Sequence, residues 1–429
     1  MKKGDWVQAN REGSLRLVSS NWGKWALALQ NIVSLGSFRK RLERAIYFNF
    51  LAMSVEFLNP TDESVLRVYI ERKLALFERA LKKLDRLNGR KFDKSPIIFN
   101  MKQFERDSLL QAHLIKQMKE AVRRQGEPEV IRLAKEGIES GLFPVLIQKG
   151  LSGAYWIRSK EREVLGLFKP FDEEPYAINS PTKRGEQVPL GRRKMRPGVA
   201  VGEGAHNEVA AFQLDSFLGF GVVPKTYYAS FTHEAFHSIR ENRLENLKKK
   251  KKYGSFQEFI EGFVPFPRLD RELIPDIPLD EYQMVLFLDL LIGNSDRHFN
   301  NLLVGDGKLA AIDHGYCFPD VPPSMGMALW EALPQADQIF HVGFKKLANH
   351  FPLDELSWKL RKSCFRSVKS MQRMRERLAL FRAAVNADLT AREMVGLFSI
   401  ENFYKLVDLG DSLDERAKEI VELYTISKK

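Results

Sequence analysis

MVLFLDLLIGNSDRHFNNLLVGDGKLAAIDHGYCFP, residues 284–319, carries the most informative pattern in the chain. It opens with apolar residues at helical spacing, Val285, Leu288, Leu291 and Ile292, and the pattern stops at Gly293. A polar cluster follows, Asp296, Arg297, His298 and Asn301, of a kind that no apolar core accommodates. Two short apolar strands then run from Leu302 to Val304 and from Leu309 to Ile312, joined by Gly305-Asp306-Gly307, a strong hairpin signal. The stretch therefore predicts a helix, a polar loop, a hairpin and a second acidic turn, Asp313-His314-Gly315. A polar loop between a helix and a hairpin is ordinarily a solvated connection. Asp296, Asn301 and Asp313 at this spacing argue for chemistry instead.

Phosphoryl transfer from a nucleotide needs an aspartate beside the acceptor hydroxyl and oxygen ligands for Mg2+ near the phosphates. An Asp, an Asn five residues later, a hairpin and an Asp-x-Gly supply those parts. Protein kinases carry them in the order H-R-D-x-x-x-x-N and D-F-G; here the order is D-R-H-x-x-N and D-H-G. That order resembles the phosphatidylinositol 3- and 4-kinase superfamily. NSDRHFNN with AAIDHGYCFP is most similar to the type II phosphatidylinositol 4-kinases and their plant gamma relatives. The resemblance implies that Asp296 orients or deprotonates the acceptor hydroxyl and that Asn301 and Asp313 hold Mg2+, with Mn2+ as an alternative ion. His298 is expected either to hydrogen-bond the transferring phosphate or to be a structural loop histidine.

The composition, 44% hydrophobic and 28% charged over 429 residues, is that of a globular chain with room for two or three domains. No apolar run is long enough to span a bilayer, and MKKGDWVQANREGS at the N-terminus has no apolar segment after its basic residues. With only Cys317 and Cys364, a disulfide scaffold is excluded and a reducing, cytoplasmic setting is expected, peripheral contact with membranes remaining open. The net charge of +12 asks for an anionic partner. Its basic residues cluster at Arg192, Arg193, Lys194 and Arg196, and at Lys248, Lys249, Lys250, Lys251 and Lys252. Such runs are commonly solvated loops. The functional readings are an anionic membrane, where each basic residue contributes about 1 kcal/mol, or a soluble inositol polyphosphate. Nucleic acid is not expected, since no recognition motif accompanies the charge.

Residues 1–140 read as a helical accessory domain, with amphipathic helices from Thr61 to Asn88-Gly89, from Asp107 to Arg124 and from Glu129 to Glu139. At Gly141 the texture changes to strands. Val145 to Phe168 alternates around a turn containing Gly150, Ser152, Gly153 and Ala154, whose backbone N–H groups and hydroxyl suit phosphate oxygens. Lys169 ends the next strand, and LFKPFDEEPYAINSP resembles the lysine strand of the type II lipid kinases. A helix opening at Gly202 to Gly204 carries Glu208, followed by a strand from about Val222; GEGAHNEVAAF resembles the family helix whose glutamate pairs with that lysine. YGSFQEFIEGFVP, after the lysine run, resembles the strand and hinge between lobes. There Gln257, Phe259 and Ile260 are the adenine candidates through their backbone.

Taken over about residues 145 to 340, the resemblance implies an α+β, bilobal protein-kinase-like fold. It would have a small lobe and hinge at 141–262 and a large lobe at 263–429, the latter completed by helices at Val368–Val385 and Leu413–Leu423. ATP would lie between the lobes. The acceptor is less determined. From Asp313 to Gly343 there is no Lys or Arg to meet a lipid phosphate, and DHGYC resembles the plant gamma group, whose behaviour is nearer that of protein kinases. These features favour a protein Ser/Thr kinase, with a phosphatidylinositol 4-kinase as the alternative. The loop from Lys183 to Val199 lacks the cysteine cluster that type II lipid kinases palmitoylate. Two further alternatives are a non-catalytic phosphoinositide or inositol-phosphate binding module and a nucleotidyl transferase.

Overall fold

The computed structural model describes residues 95–148, 150–177, 179–182, 190–237, 250–266, 277–322, 328–407 and 412–428, with a few isolated positions besides. The chain divides into two compact units, Met1–Ser108 and Leu109–Lys429. The helix expected from Thr61 lies outside the described residues. The helix expected from Asp107 is part of a longer one, α1 (Ser95–Gln125).

The second unit begins with the end of α1, where Leu114, Ile115, Met118 and Ala121 are buried at helical spacing. Next, α2 (Glu129–Glu139) buries Ile131, Ala134 and Gly137. It packs so closely on a strand that a Cβ at Gly137 would lie 2.0 Å from the Arg158 carbonyl oxygen. The expected division near residue 140 is therefore displaced. The apolar face of α2 belongs to the core of the following sheet, and the units divide between Ser108 and Leu109.

That sheet is antiparallel and five-stranded, in the order β1 (Val145–Leu146), β2 (Tyr155–Arg158), β3 (Val164–Pro170), β7 (Lys250–Glu258), β6 (Thr226–His233). Pairing of Tyr155 with Phe168 and of Phe168 with Phe256 puts these rings on one face with α2. Phe168 meets Phe231 edge to face at 4.9 Å. On the opposite face the same registers align Trp156 with Leu167, Lys169 with Ser255 and Gln257 with Thr226. This second face receives α3 (Gly204–Leu218). Along the outer side of β6, the Gln125 side chain accepts from the Tyr228 N–H at 2.8 Å and donates to its carbonyl at 2.9 Å, which covers the edge at that residue. The strand expected near Val222 starts at Thr226, and Lys250 to Lys252 form the start of β7.

The rest of the unit is helical around a small sheet of β8 (Val264–Pro265), β9 (Leu302–Gly305) and β10 (Lys308–Ala311). Pairing of Gly305 with Lys308 leaves Asp306-Gly307 as a two-residue turn with φ of 50° and 69°, the left-handed pair that a tight hairpin requires. The helix leading into the polar loop, α4 (Leu279–Ile292), is buried on every side. It ends at Gly293, whose φ is 65° and whose Cβ would lie 2.9 Å from the Arg377 guanidinium. Around α4 come α5 (Ala328–Ala332), α6 (Val342–Asn349), α7 (Leu353–Ser363), α8 (Val368–Asn386), α9 (Ala391–Leu397), α10 (Ile400–Val407) and α11 (Leu413–Lys428). The architecture is α+β, a strand-rich lobe followed by a helical one. Among the described residues no helix is long and apolar enough to cross a membrane.

Candidate active site

Lys169, near the end of β3, turns away from the Phe168 core. Its Nζ lies 2.5 Å from Glu208 Oε1 on the second turn of α3 and 2.9 Å from Asp313 Oδ1 just beyond β10. Asp313 has φ of 61°, a conformation costly for a residue other than glycine and found mostly where function demands it. Burial alone would raise the Glu208 carboxyl, but Lys169 and the His314 side chain hold it well below the ordinary carboxylate range; the His314 backbone N–H also donates to Glu208 Oε2 at 3.0 Å. Burial likewise works against the Lys169 ammonium, and Asp313 and Glu208 overcome it and push its pKa up.

The acidic sequel to β3 is structural. Asp172 and Glu173 receive Lys252 at 2.5 and 3.1 Å, and Tyr155 donates to Glu173 at 2.6 Å. Glu174 accepts from the backbone N–H groups of Gly202 at 2.7 Å and Ala205 at 3.2 Å and so holds the start of α3. Lys252 is thus no anion site: it is 2% exposed and neutralised within the protein. Lys248 and Lys249 lie outside the described residues. Lys250 and Lys251 are in β7, with Lys251 Nζ 5.3 Å from the Tyr253 ring centre.

The loop after α4 is held by a buried network. Asp289 accepts from Arg297 at 2.9 and 3.1 Å, from Asn294 at 2.9 Å and from the Trp330 indole at 3.1 Å. Arg297 also donates to the carbonyls of Asn301 and Ile312. Its contact with His314 Nε2, at 3.0 Å, fixes a tautomer: a guanidinium only donates, so Nε2 accepts and the ring proton sits on Nδ1, 3.8 Å from Glu208 Oε2. A continuous chain therefore runs Lys169, Glu208, His314, Arg297, Asp289. Composition and motif spacing passed over Arg297, His314 and Asp289. The available signal was Asp289 itself, an acid inside the apolar run VLFLDLLI, which can be buried only with a cation.

Asn301 donates its amide to the Asp296 carbonyl at 3.0 Å, which leaves its side-chain oxygen as the atom that could ligate a metal. Among the described residues there is no cluster of three or more His, Cys, Asp or Glu placed to hold a metal. Asn301 and Asp313 fit Mg2+ all the same, because that ion is commonly held by one or two protein oxygens with phosphate and water completing the shell. His298 is exposed, and its carbonyl accepts from the Asn301 N–H at 2.9 Å.

The glycine turn is partly committed to the protein. Gly150 has φ of 105° and Ser152 is half-buried. Gly153, however, donates its N–H to the Glu173 carbonyl at 2.8 Å, and Ala154 accepts from Ile147 at 2.8 Å. Gly153 therefore shapes the turn instead of offering its N–H to phosphate, and at Ala154 it is the carbonyl that is occupied. In the hinge, the Phe259 N–H is likewise spent on the Leu165 carbonyl, at 3.0 Å, and its ring meets Trp156 edge to face at 6.0 Å. Gln257 donates to Thr226 at 3.1 Å, and Ile260 is half-buried just beyond. Trp156, which no motif marked, shares the cleft-side face with Lys169.

One residue of the other basic cluster, Arg196, reaches the loop after α4. Arg192 leads into a hairpin of β4 (Arg193–Arg196, which includes Lys194) and β5 (Val199–Ala200). Gly198 at its tip accepts from the Asp320 N–H at 3.1 Å, and a Cβ there would lie 2.9 Å from Pro319 and Val321. The hairpin carries Arg196 to Asp296, Nη2 to Oδ1 2.6 Å, with its guanidinium 5.3 Å from the Tyr316 ring centre.

The sequence model of the family described as phosphatidylinositol 3- and 4-kinase matches residues 151–393, more than half of the chain. The chain belongs to this family. Family likeness thus extends past the expected limit near 340, into the helices up to α9. Among curated relatives, phosphatidylinositol 4-kinase gamma 3 of Arabidopsis thaliana is 34% identical over 210 residues, 45% of this chain and 35% of that protein. Phosphatidylinositol 4-kinase type 2-beta of Danio rerio is 30% identical over 270 residues, 49% of this chain and 53% of that one. The chain thus spans about a third of the plant relative's length and about half of the fish relative's. A solved structure titled as the golgi casein kinase overlaps loosely, with a TM-score of 0.35 at 16% identity, over 60% of this chain and 78% of that one.

Proposed function

We propose that this member of the phosphatidylinositol 3- and 4-kinase family transfers the γ-phosphoryl group of ATP to a hydroxyl of phosphatidylinositol, acting as a phosphatidylinositol 4-kinase. The observation that carries the phosphotransferase reading is Lys169 Nζ lying between Glu208 and Asp313, beside the loop of Asp296 and Asn301. In this reading Lys169, aligned by Glu208, neutralises the nucleotide phosphates, while Gly150 and Ser152 close over them. Asn301 and Asp313 would hold Mg2+, which would supply charge compensation to the phosphates. Asp296 accepts or orients the proton of the attacking hydroxyl.

The lean toward a protein acceptor has two grounds, the absence of Lys or Arg from residues 313–343 and the likeness of DHGYC to the plant gamma group. Arg196 weakens the first, because the β4–β5 hairpin brings a cation to Asp296 from outside that segment. The names of the relatives add support for a lipid acceptor. A Mg2+-dependent assay with γ-labelled ATP, offering phosphatidylinositol vesicles and a cell lysate in parallel, separates the two. Label in lipid, abolished by Asp313→Ala, is the expected result; label in protein bands alone would restore the protein-kinase reading.

A further inference from the structure

We infer that Arg196 is the residue that recognises an anionic acceptor, and that it guards Asp296 until such an acceptor arrives. The inference rests on the phosphotransferase reading above. Asp296 is the carboxylate placed to receive the acceptor hydroxyl, yet one of its oxygens is taken by Arg196 Nη2 at 2.6 Å. A hydroxyl cannot use that oxygen while the guanidinium holds it. The Arg196 side chain is 46% exposed and that of Asp296 18%, so the arginine end is free to turn toward solvent. Partly exposed ion pairs of this kind exchange readily, since water and salt compete for both partners.

The place of Arg196 is built by the fold. Gly198 lies so near Pro319 and Val321 that the hairpin has no room for a larger residue at its tip, and its carbonyl is tied to the Asp320 N–H. The Tyr316 ring gives the guanidinium an apolar platform that persists when its charge partner changes. An acceptor with a negative group near its reacting hydroxyl can therefore take Arg196 in exchange for Asp296. The same movement holds the headgroup and releases the carboxylate. A neutral acceptor, or water, provides no such exchange. The matching chemistry is an inositol ring bearing a phosphodiester, which guanidinium groups bind well.

The test uses the full chain as wild type, Arg196→Ala, Arg196→Lys and Asp313→Ala, with two readouts. The first is Mg2+-dependent ATP hydrolysis without acceptor; the second is transfer to phosphatidylinositol vesicles, soluble glycerophosphoinositol and neutral myo-inositol. Arg196→Ala is expected to raise acceptor-free hydrolysis at least about fivefold. It should raise KM for both phosphodiester acceptors about tenfold while shifting that for myo-inositol less than about twofold. Arg196→Lys should fall between, keeping charge without the planar fork.

Unchanged or reduced hydrolysis in Arg196→Ala overturns the inference, as does an equal loss for charged and neutral acceptors. A KM effect confined to vesicles also overturns it, because Arg196 would then be meeting the membrane and not the acceptor. If the wild type labels no inositol acceptor but hydrolysis still rises in Arg196→Ala and depends on Asp313, the guard stands and the lipid reading falls. If the wild type labels phosphatidylinositol and Arg196→Ala alters neither readout, the lipid reading stands and the guard falls.

Discussion

Asp289 and Arg297 are both fully buried, and each gives the other its charge partner. Removing one member of such a pair leaves an uncompensated charge in the interior, at a cost of about 3–5 kcal/mol. Arg297→Met should therefore lower unfolding stability on that order, measured by urea titration. Arg297→Lys should recover only part, because one ammonium cannot serve the Asp289 carboxylate, two carbonyls and His314 Nε2 together. Glu208 gives a pH prediction. Its folded carboxyl is held below the ordinary value of 4.5, so the stability it contributes is present above that pH and lost as pH falls. Lys169 is shifted above its ordinary 10.5, so its share is present below that value and lost only in stronger alkali. The stability gap between wild type and Glu208→Gln, followed by thermal melts without nucleotide, should thus be flat from about pH 6 to 9 and shrink below about pH 5. Asp296, Asn301 and Asp313 could be singled out as candidates one by one because their spacing is local. Arg297 and His314 were not, because their roles are defined by Asp289 and Glu208, far away in the chain.

At the scale of elements, the hairpin around Asp306-Gly307 could be read directly, since a two-residue turn leaves its signature within four residues. The lysine run could not. A block of like charge reads as solvated loop, yet Lys252 takes the strand position that faces inward, and its acids Asp172 and Glu173 lie 80 and 79 residues earlier. Lys251, one residue away, is exposed, so Lys251→Ala should leave stability within about 0.5 kcal/mol while Lys252→Ala strands two buried acids and costs several-fold more. The helix α2 was legible as a helix but not as part of the small lobe, because its face is complementary to a sheet that forms later in the chain. Gly137 makes the attachment testable. An alanine there has no space above the Arg158 carbonyl, and overpacking of this kind costs about 1–3 kcal/mol. Correspondingly, a chain begun at Ser95 should give one cooperative unfolding transition. One begun at Gly141 leaves Tyr155, Phe168 and Phe256 without Ile131 and Ala134 and should be poorly soluble.

For the whole second unit, one connection between lobes runs along a short series of side chains, beside others such as Asn207 donating to the Gly315 carbonyl at 2.8 Å and Ser363 donating to Gln213 at 2.5 Å. Lys169 belongs to the sheet and Glu208 to α3, whereas Arg297 and Asp289 belong to the loop and helix of the helical lobe. His314 stands between them, its backbone N–H on Glu208 and its ring nitrogen on Arg297. The sequence hid this because D-H-G differs from D-F-G by one side chain, and whether the imidazole packs as an apolar ring or accepts from Arg297 depends on the two lobes meeting. Each lobe keeps its own apolar core without His314, around Phe168 and Phe256 in one and around Phe287, Phe340 and Phe381 in the other. His314→Ala should therefore uncouple the lobes without unfolding either. Calorimetry of the wild type is expected to show one transition for this unit; the variant should show two, or one much broader, with less stabilisation on adding Mg2+ and ATP, since ligand stabilisation requires both halves of the binding site to be in place. A single sharp transition in the variant, with nucleotide stabilisation intact, would mean that the remaining contacts between the lobes suffice and that His314 serves the local packing alone.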